Sequence, residues 1–216
     1  MPRRLAHDFI VIYALLAAAI MLRTFLGLTF QLWMAIIMPL IGVAFALVHS
    51  TAILGWRRAL LFLSLTIVIS MALESLGVAT GWVYGPYHYT DRLGPLFLGL
   101  VPYTIPLTWY MMLYPSYRIA ERCVPARWRL RWLAVAALGG LAMVAWDLAM
   151  DPLMASRSHW VWDTPGAYFG VPIKNFVGWW LTAFIILAVF LKLAPLLPVS
   201  PAVLDDEEII SSQQRQ

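Results

Sequence analysis

The stretch ALLFLSLTIVISMALESLGV, residues 59–78, determines how this chain must fold. It is apolar along nearly its whole length and carries a single charged side chain, Glu74. A helix of about 20 such residues is long enough to cross the hydrocarbon core of a bilayer. The stretch therefore predicts a membrane-spanning helix that holds one carboxyl group away from bulk water.

The rest of the chain repeats this pattern. Hydrophobic residues make up 62% of the sequence and charged residues only 12%, about half the charged fraction of a soluble domain. We interpret the first apolar segment as an uncleaved helix, although its start resembles a signal peptide. The chain is thus predicted to be an all-α, polytopic transmembrane bundle of about six helices. Besides residues 59–78, the predicted spans are 8–28, 31–54, 98–119, 132–150 and 175–194.

Basic residues predict the orientation of these helices. With the N-terminus in the cytoplasm, 11 of the 15 Lys and Arg residues fall in cytoplasmic segments, as the positive-inside rule requires. Both termini are then inside, and the aromatic loops 79–96 and 152–173 lie on the non-cytoplasmic side as re-entrant or capping segments. We predict one integral domain, residues 1–198, in the cell (cytoplasmic) membrane as a multi-pass protein. A disordered polar tail, residues 199–216, is expected to follow.

Three carboxyl groups lie near the non-cytoplasmic ends of predicted helices: Glu74, Asp147 and Asp151. A charged side chain in a spanning helix costs about 2.5–3.5 kcal/mol on insertion scales, so these acids should face the protein interior. We expect them to meet at one depth, to share protons and to act in acid–base chemistry, with Glu74 and Asp147 as the main pair. Alternatively, each acid caps a helix end or accepts structural hydrogen bonds. Pro152 is expected to end the fifth helix at Asp151.

Aromatic residues crowd the two loops that follow these acids. The segments GWVYGPYHY, residues 81–89, and SHWVWD, residues 158–163, hold more aromatic rings than a wet loop needs. They either form an interfacial belt or wall a hydrophobic pocket whose ring faces stabilise a cation. Asn175, which opens the sixth helix, either caps that helix or holds a water. The candidate pocket residues are Trp82, Tyr84, Tyr87, His88, Trp109, Trp160, Trp162 and Asn175.

The two loops also form a faint internal repeat. In each half an acid precedes a tryptophan-containing loop, and a proline then precedes a tryptophan by the same spacing. The proline–tryptophan pairs are Pro102 with Trp109 and Pro172 with Trp179. The repeat predicts two similar hairpins, each contributing an acid and aromatic rings to a shared site.

Several classes of chemistry have no support in the sequence. The single cysteine excludes an internal disulfide and a cysteine-based metal cluster. Phosphate-binding loops, dinucleotide fingerprints and nucleophile elbows are missing, so no cofactor is predicted. The histidines and acids lack metal-ligand spacing, so we predict no metal. Nothing indicates nucleic-acid binding.

Two signatures resemble the CruF-type carotenoid hydratase family, which includes bisanhydrobacterioruberin hydratase and the γ-carotene 1′,2′-hydratases. The first is ESLGVATGWVYGPYHY, residues 74–89, followed by Pro102 and Trp109. The second comprises Asp147, Asp151, the WVW segment 160–162, and YFGVPIKNFVGW, residues 168–179. The resemblance covers about residues 60–190.

This resemblance implies a cofactor-independent hydro-lyase acting on a lipid-soluble carotenoid. Water would add across the terminal C1–C2 double bond of a ψ-end group and give a tertiary alcohol. A carotenoid glycosyltransferase is a possible downstream partner. Three alternatives remain: a carotenoid or isoprenoid cyclase or isomerase, a transport protein with protonatable acids, and a non-catalytic carotenoid-binding protein. The position of the acids near one face argues against transport.

Overall fold

The computed structural model describes residues 2–28 and 32–198, and within them it contains six long helices. Their bounds are α1 Pro2–Phe25, α2 Leu32–Leu54, α3 Trp56–Thr80, α4 Thr104–Cys123, α5 Arg131–Ser156 and α6 Ile173–Leu193. The predicted all-α helical architecture is confirmed. The predicted disordered tail, residues 199–216, lies outside the described residues, and the division into one domain plus tail stays a prediction.

Five of these helices, α1, α2, α3, α5 and α6, are long and apolar enough to cross a membrane. Many of their large apolar side chains are exposed, as expected of surfaces that face lipid. The chain is therefore a membrane protein. Its N-in, C-in orientation stays a prediction.

Helix α4 covers most of the predicted span 98–119, but it is not among the five described helices that are apolar enough to cross a membrane. It packs against α2, α3 and α5, and its buried residues include Trp109, Tyr110, Tyr114 and Tyr117. A helix that faces protein on most sides can carry hydroxyl and indole groups that find partners there. It also begins at Thr104 and not at residue 98, because residues 96–102 form a short antiparallel pair, β2 Leu96–Phe97 with β3 Val101–Pro102.

The expected end of the fifth helix at Asp151 is wrong. Helix α5 continues through Pro152 to Ser156, and Asp151 stays helical. Proline has no backbone N–H, so it leaves the carbonyl four residues earlier, that of Leu148, without its helical donor. The Tyr168 hydroxyl donates a hydrogen bond to this carbonyl at 3.2 Å. A side chain from the second loop thus compensates for the proline.

Small residues bring α5 and α6 together. At Gly140 a Cβ atom would lie 2.9 Å from Cδ1 of Trp180 and 3.0 Å from its carbonyl oxygen. Only glycine allows the two backbones to approach so closely. This contact fixes α6, which carries Asn175, against α5, which carries Asp147 and Asp151.

Candidate active site

The two aromatic loops pair with each other at one end of the bundle. Strand β1, Tyr87–Tyr89, runs antiparallel to β4, Trp160–Trp162, with Tyr87 opposite Trp162 and Tyr89 opposite Trp160. Both loops therefore lie on the same side, as predicted. Because side chains alternate along a strand, the two tyrosines and two tryptophans point inward while His88 and Val161 point outward.

Glu74 lies beneath β1 and is almost completely buried. Its Oε2 accepts hydrogen bonds from the hydroxyls of Tyr87, at 2.5 Å, and Tyr89, at 2.9 Å. Its Oε1 accepts one from the indole Nε1 of Trp109 at 2.9 Å. Three donors from β1 and α4 thus fix the orientation of one carboxyl group.

Asp151 lies beneath β4 in a matching environment. Its Oδ1 accepts hydrogen bonds from the indoles of Trp160, at 2.9 Å, and Trp162, at 3.2 Å. Its Oδ2 accepts one from Nδ2 of Asn175 at 2.7 Å. Each acid is therefore held by the inward side chains of the strand that follows it in the sequence.

Asp147 lies one helical turn before Asp151 and is completely buried. Nδ2 of Asn175 donates to its Oδ2 at 2.7 Å, so this amide bridges the two aspartates. The other oxygen, Oδ1, is buried and has no hydrogen-bond partner among residues 2–28 and 32–198. Asp147 is not among the residues that line the adjoining cavity.

The internal repeat is visible in these contacts. Glu74 with the aromatic residues of β1 corresponds to Asp151 with those of β4. The equivalent tryptophans Trp109 and Trp179 stack on each other, with ring centroids 4.5 Å apart. The hydroxyl of Tyr84 from the first half shares a hydrogen bond of 2.9 Å with Thr182 of the second. Two similar hairpins thus build one site.

A cavity of about 600 Å³ extends from these acids. This volume lies within the range of small-molecule binding sites. Apart from the carboxyl groups, the amide and Arg157, its walls are aromatic or aliphatic with a few hydroxyl groups. The predicted site residues that line it are Glu74, Asp151, Tyr84, Tyr87, Trp109, Trp160, Trp162 and Asn175.

Two predicted pocket residues, Trp82 and His88, do not line this cavity. Trp82 follows the left-handed end of α3 at Gly81 and is 76% exposed. His88 occupies the outward position of β1, where its Nδ1 lies 2.7 Å from Oδ1 of Asp163 at the surface. The strand alternation that turns Tyr87 and Tyr89 inward turns His88 away.

The structure also adds lining residues that the sequence analysis did not select as site residues. Tyr89 could have been found from its two-residue spacing to Tyr87, and Trp179 from its place in the repeat. Arg157, at the end of α5, also borders the cavity. Its contribution, like that of α1, depends on tertiary packing and has no local signal in the sequence.

The loop tyrosines remain hydrogen-bond donors. Burial raises the pKa of Tyr87 and Tyr89 well above the usual tyrosine value, and the nearby Glu74 raises each further. Both hydroxyls therefore keep their protons at any physiological pH. Burial lowers the pKa of His159, which favours the neutral form of its ring.

Within residues 2–28 and 32–198, no group of three or more His, Cys, Asp or Glu side chains is placed to hold a metal ion.

Comparison with known proteins fits this arrangement. A family model described as "Carotenoid biosynthesis protein" matches residues 31–203, most of the chain. The chain belongs to this family. The two aromatic loops and the three acids lie within the matched region.

The family match together with one relative confirms the resemblance to the CruF-type carotenoid hydratase family. The bisanhydrobacterioruberin hydratase of Haloarcula japonica is 32% identical over 154 residues, which make up 71% of this chain and 49% of that relative. The chain thus spans about half the length of the relative. No solved structure matches the chain.

Proposed function

We propose that this protein is a carotenoid hydratase that adds water across the terminal C1–C2 double bond of a ψ-end group. The observation that carries the proposal is the pair Glu74 and Asp151, each held by three hydrogen-bond donors in one apolar, aromatic-walled cavity. The family and the hydratase relative support the carotenoid as substrate.

The cavity suits a substrate that has no polar handle. A carotenoid end group is a branched hydrocarbon, and it gains free energy from burial against Tyr84, Trp109 and Trp179. The reaction is redox neutral, because one molecule of water is added and nothing is oxidised. Its difficult step is protonation of an unactivated alkene, which requires an acid held close to the double bond.

We assign Glu74 as the proton donor and Asp151 as the base. The proton of Glu74 bonds to C2 using the π electrons, which leaves a tertiary cation at C1. The faces of Trp109 and Trp179 stabilise this cation. Water oxygen then bonds to C1, and Asp151 takes the proton that the water loses. Return of one proton from Asp151 to Glu74 restores the starting state.

Asn175 is the reason for placing the water beside Asp151. Its Nδ2 is used by the two aspartates. Its side-chain carbonyl oxygen is therefore the group that can accept a hydrogen bond from a water next to Asp151. Asp147 acts as a positioning residue that fixes the Asn175 amide from behind. This differs from the expectation that Asp147 pairs with Glu74, because Asp151 and not Asp147 lines the cavity.

The setting of the reaction is also part of the proposal. We place the protein in the cell membrane as a multi-pass protein, with the acids near the non-cytoplasmic face. The product is a tertiary alcohol still anchored by its polyene chain. A glycosyltransferase that works at the membrane could act on that hydroxyl next.

Expression in cells that accumulate lycopene or γ-carotene tests the proposed function. The expected result is a new, more polar pigment whose mass exceeds that of the precursor by one water. Pigment of unchanged mass but altered spectrum would favour a cyclase or isomerase instead. Unchanged pigment, with the protein present in the membrane, would count against catalysis on these carotenoids.

The inward face of β1 provides a finer prediction. Tyr89→Phe removes one hydrogen bond to Glu74 while keeping the ring. That bond strengthens as Glu74 gives up its proton and becomes negatively charged, and bonds to charged groups contribute about 1.5–3 kcal/mol. We expect kcat to fall by about tenfold or more. His88→Ala, on the outward face of the same strand, should leave kcat within about twofold. Hydration rates of the two purified variants check this prediction. An equal loss of kcat in both would contradict the inward and outward alternation of side chains along β1.

A further inference from the structure

Helix α1 forms part of the cavity although it lies far from the acids in sequence. It packs chiefly against α2, and most of its surface is exposed. One face nevertheless borders the cavity, and its members recur at helical spacing. They are Tyr13, Ala17, Ile20, Met21 and Phe25.

The family match begins at residue 31, so α1 lies entirely before it. The acids, the two strands and Asn175 all lie within the matched region. The cavity therefore combines a catalytic end built from the shared family segment with a wall built from a segment outside it. Substitutions in this wall can change the shape of the cavity without displacing the carboxyl groups.

The same wall marks where the cavity opens. Met21 and Phe25 line the cavity and yet are 72% and 88% exposed, so they lie at its mouth. On α5, Trp146 and Leu153 also line the cavity and are 41% and 50% exposed. All four side chains are apolar and belong to helices that can span a membrane. The mouth between α1 and α5 therefore opens toward lipid.

The two ends of the cavity differ in chemistry. Glu74 and Asp151 are buried inside the cavity at 3% and 2% exposure, whereas its apolar lining residues on α1 and α5 are exposed and mark its mouth. A molecule that fits both ends has a reactive end group and a long hydrocarbon chain. A ligand dissolved in the bilayer can reach the acids by this path without crossing water.

We propose that the polyene chain of the substrate leaves the cavity between α1 and α5, and that the α1 face around Ala17 selects which isoprenoid chains fit. This inference rests on the proposed function for the identity of the end group. It adds a substrate-selecting element in a helix that contributes none of the carboxyl groups. Ala17 is the small residue in the middle of that face, so a large side chain there narrows the passage.

The test compares Ala17→Trp with Ala18→Trp. Ala17 lines the cavity, whereas Ala18 is the next residue on the same helix, is exposed and does not line it. Both variants add the same bulk to α1. We expect Ala17→Trp to lower kcat/KM for lycopene by about tenfold or more, within the range that steric misfit produces, with Ala18→Trp near wild type. Equal values for both variants would overturn the proposal.

Carotenoid retained by the purified protein gives a readout that does not need turnover. Wild type and Ala18→Trp should keep lycopene through detergent purification, and Ala17→Trp should keep several-fold less by absorbance. If wild type retains lycopene but never hydrates it, the proposed reaction fails while the passage stands. If wild type retains none, or if phospholipid alone occupies the protein, the passage for a carotenoid is overturned.

A second pair of variants applies if Ala17→Trp fails to fold. Met21→Ala widens the mouth, and Leu22→Ala removes an exposed side chain that does not line the cavity. We expect Met21→Ala to shift the ratio of kcat/KM values for γ-carotene and lycopene, and Leu22→Ala to leave it unchanged. An unaltered ratio in both variants would overturn the proposal.

Discussion

Asp151→Asn is expected to abolish net hydration while leaving proton transfer to the substrate intact. The amide keeps the size of the carboxyl group but cannot take a proton from water. Glu74→Gln should abolish both steps, because no acid then reaches C2. Loss of a general acid or base typically lowers the rate by about 100- to 10,000-fold, and we expect each variant to fall in that range.

Deuterium exchange separates the two roles. In D₂O, Asp151→Asn should place deuterium in the recovered alkene, because Glu74 delivers a deuteron to C2 and rotation within the cation lets the original C2 proton be lost in its place. Glu74→Gln should give no exchange. Membrane insertion and size-exclusion profiles of both variants must match wild type. Exchange in Glu74→Gln but not in Asp151→Asn would reverse our assignment, and full hydration by either variant would exclude that residue from catalysis.

Gly178→Leu is expected to have the largest effect on stability. Gly178 lies on α6 directly beneath the first loop, where even a Cβ atom would stand 2.6 Å from the carbonyl oxygen of Val83 and 2.6 Å from the ring of Tyr84. Backbone cannot give way easily, so a larger side chain must separate α6 from the loop. Overpacking of this size should cost about 3 kcal/mol or more.

Thermal unfolding in detergent measures this cost. For a chain of this length we expect Gly178→Leu to lower Tm by roughly 6–12 °C. Val177→Leu provides the matched control, because Val177 is the adjacent residue and faces outward. The control should unfold at the wild-type temperature. A Gly178→Leu protein as stable as Val177→Leu would show that α6 does not pack against the loop as described.

The acids of the site could be found from the sequence because a carboxyl group in an apolar, membrane-spanning helix is too costly to expose to lipid. Glu74, Asp147 and Asp151 had to face the interior, and they lie near one another at one end of the bundle. The sequence alone could not show which of the three acids lines the cavity, however. Whether an acid lines the cavity or lies behind Asn175 depends on how α6 packs against α5.

Other predictions differ from the structure because tertiary contacts override the short-range rules on which those predictions depend. Pro152 normally predicts the end of a helix, but Tyr168 supplies the missing hydrogen bond from another segment. His88 and Trp82 belong to an aromatic-rich loop, and only pairing with β4 reveals which side chains turn inward. The wall formed by α1 arises from helix packing alone, so no motif marks it.

Oxygen-18 labelling tests the central claim most directly. Purified protein is incubated with lycopene in detergent and ¹⁸O-water, and the extracted pigment is analysed by mass spectrometry. We predict a tertiary alcohol that carries one heavy oxygen at each end that has reacted, formed by wild type and not by Asp151→Asn. A product isomeric with lycopene, without added oxygen, would contradict hydration at this site.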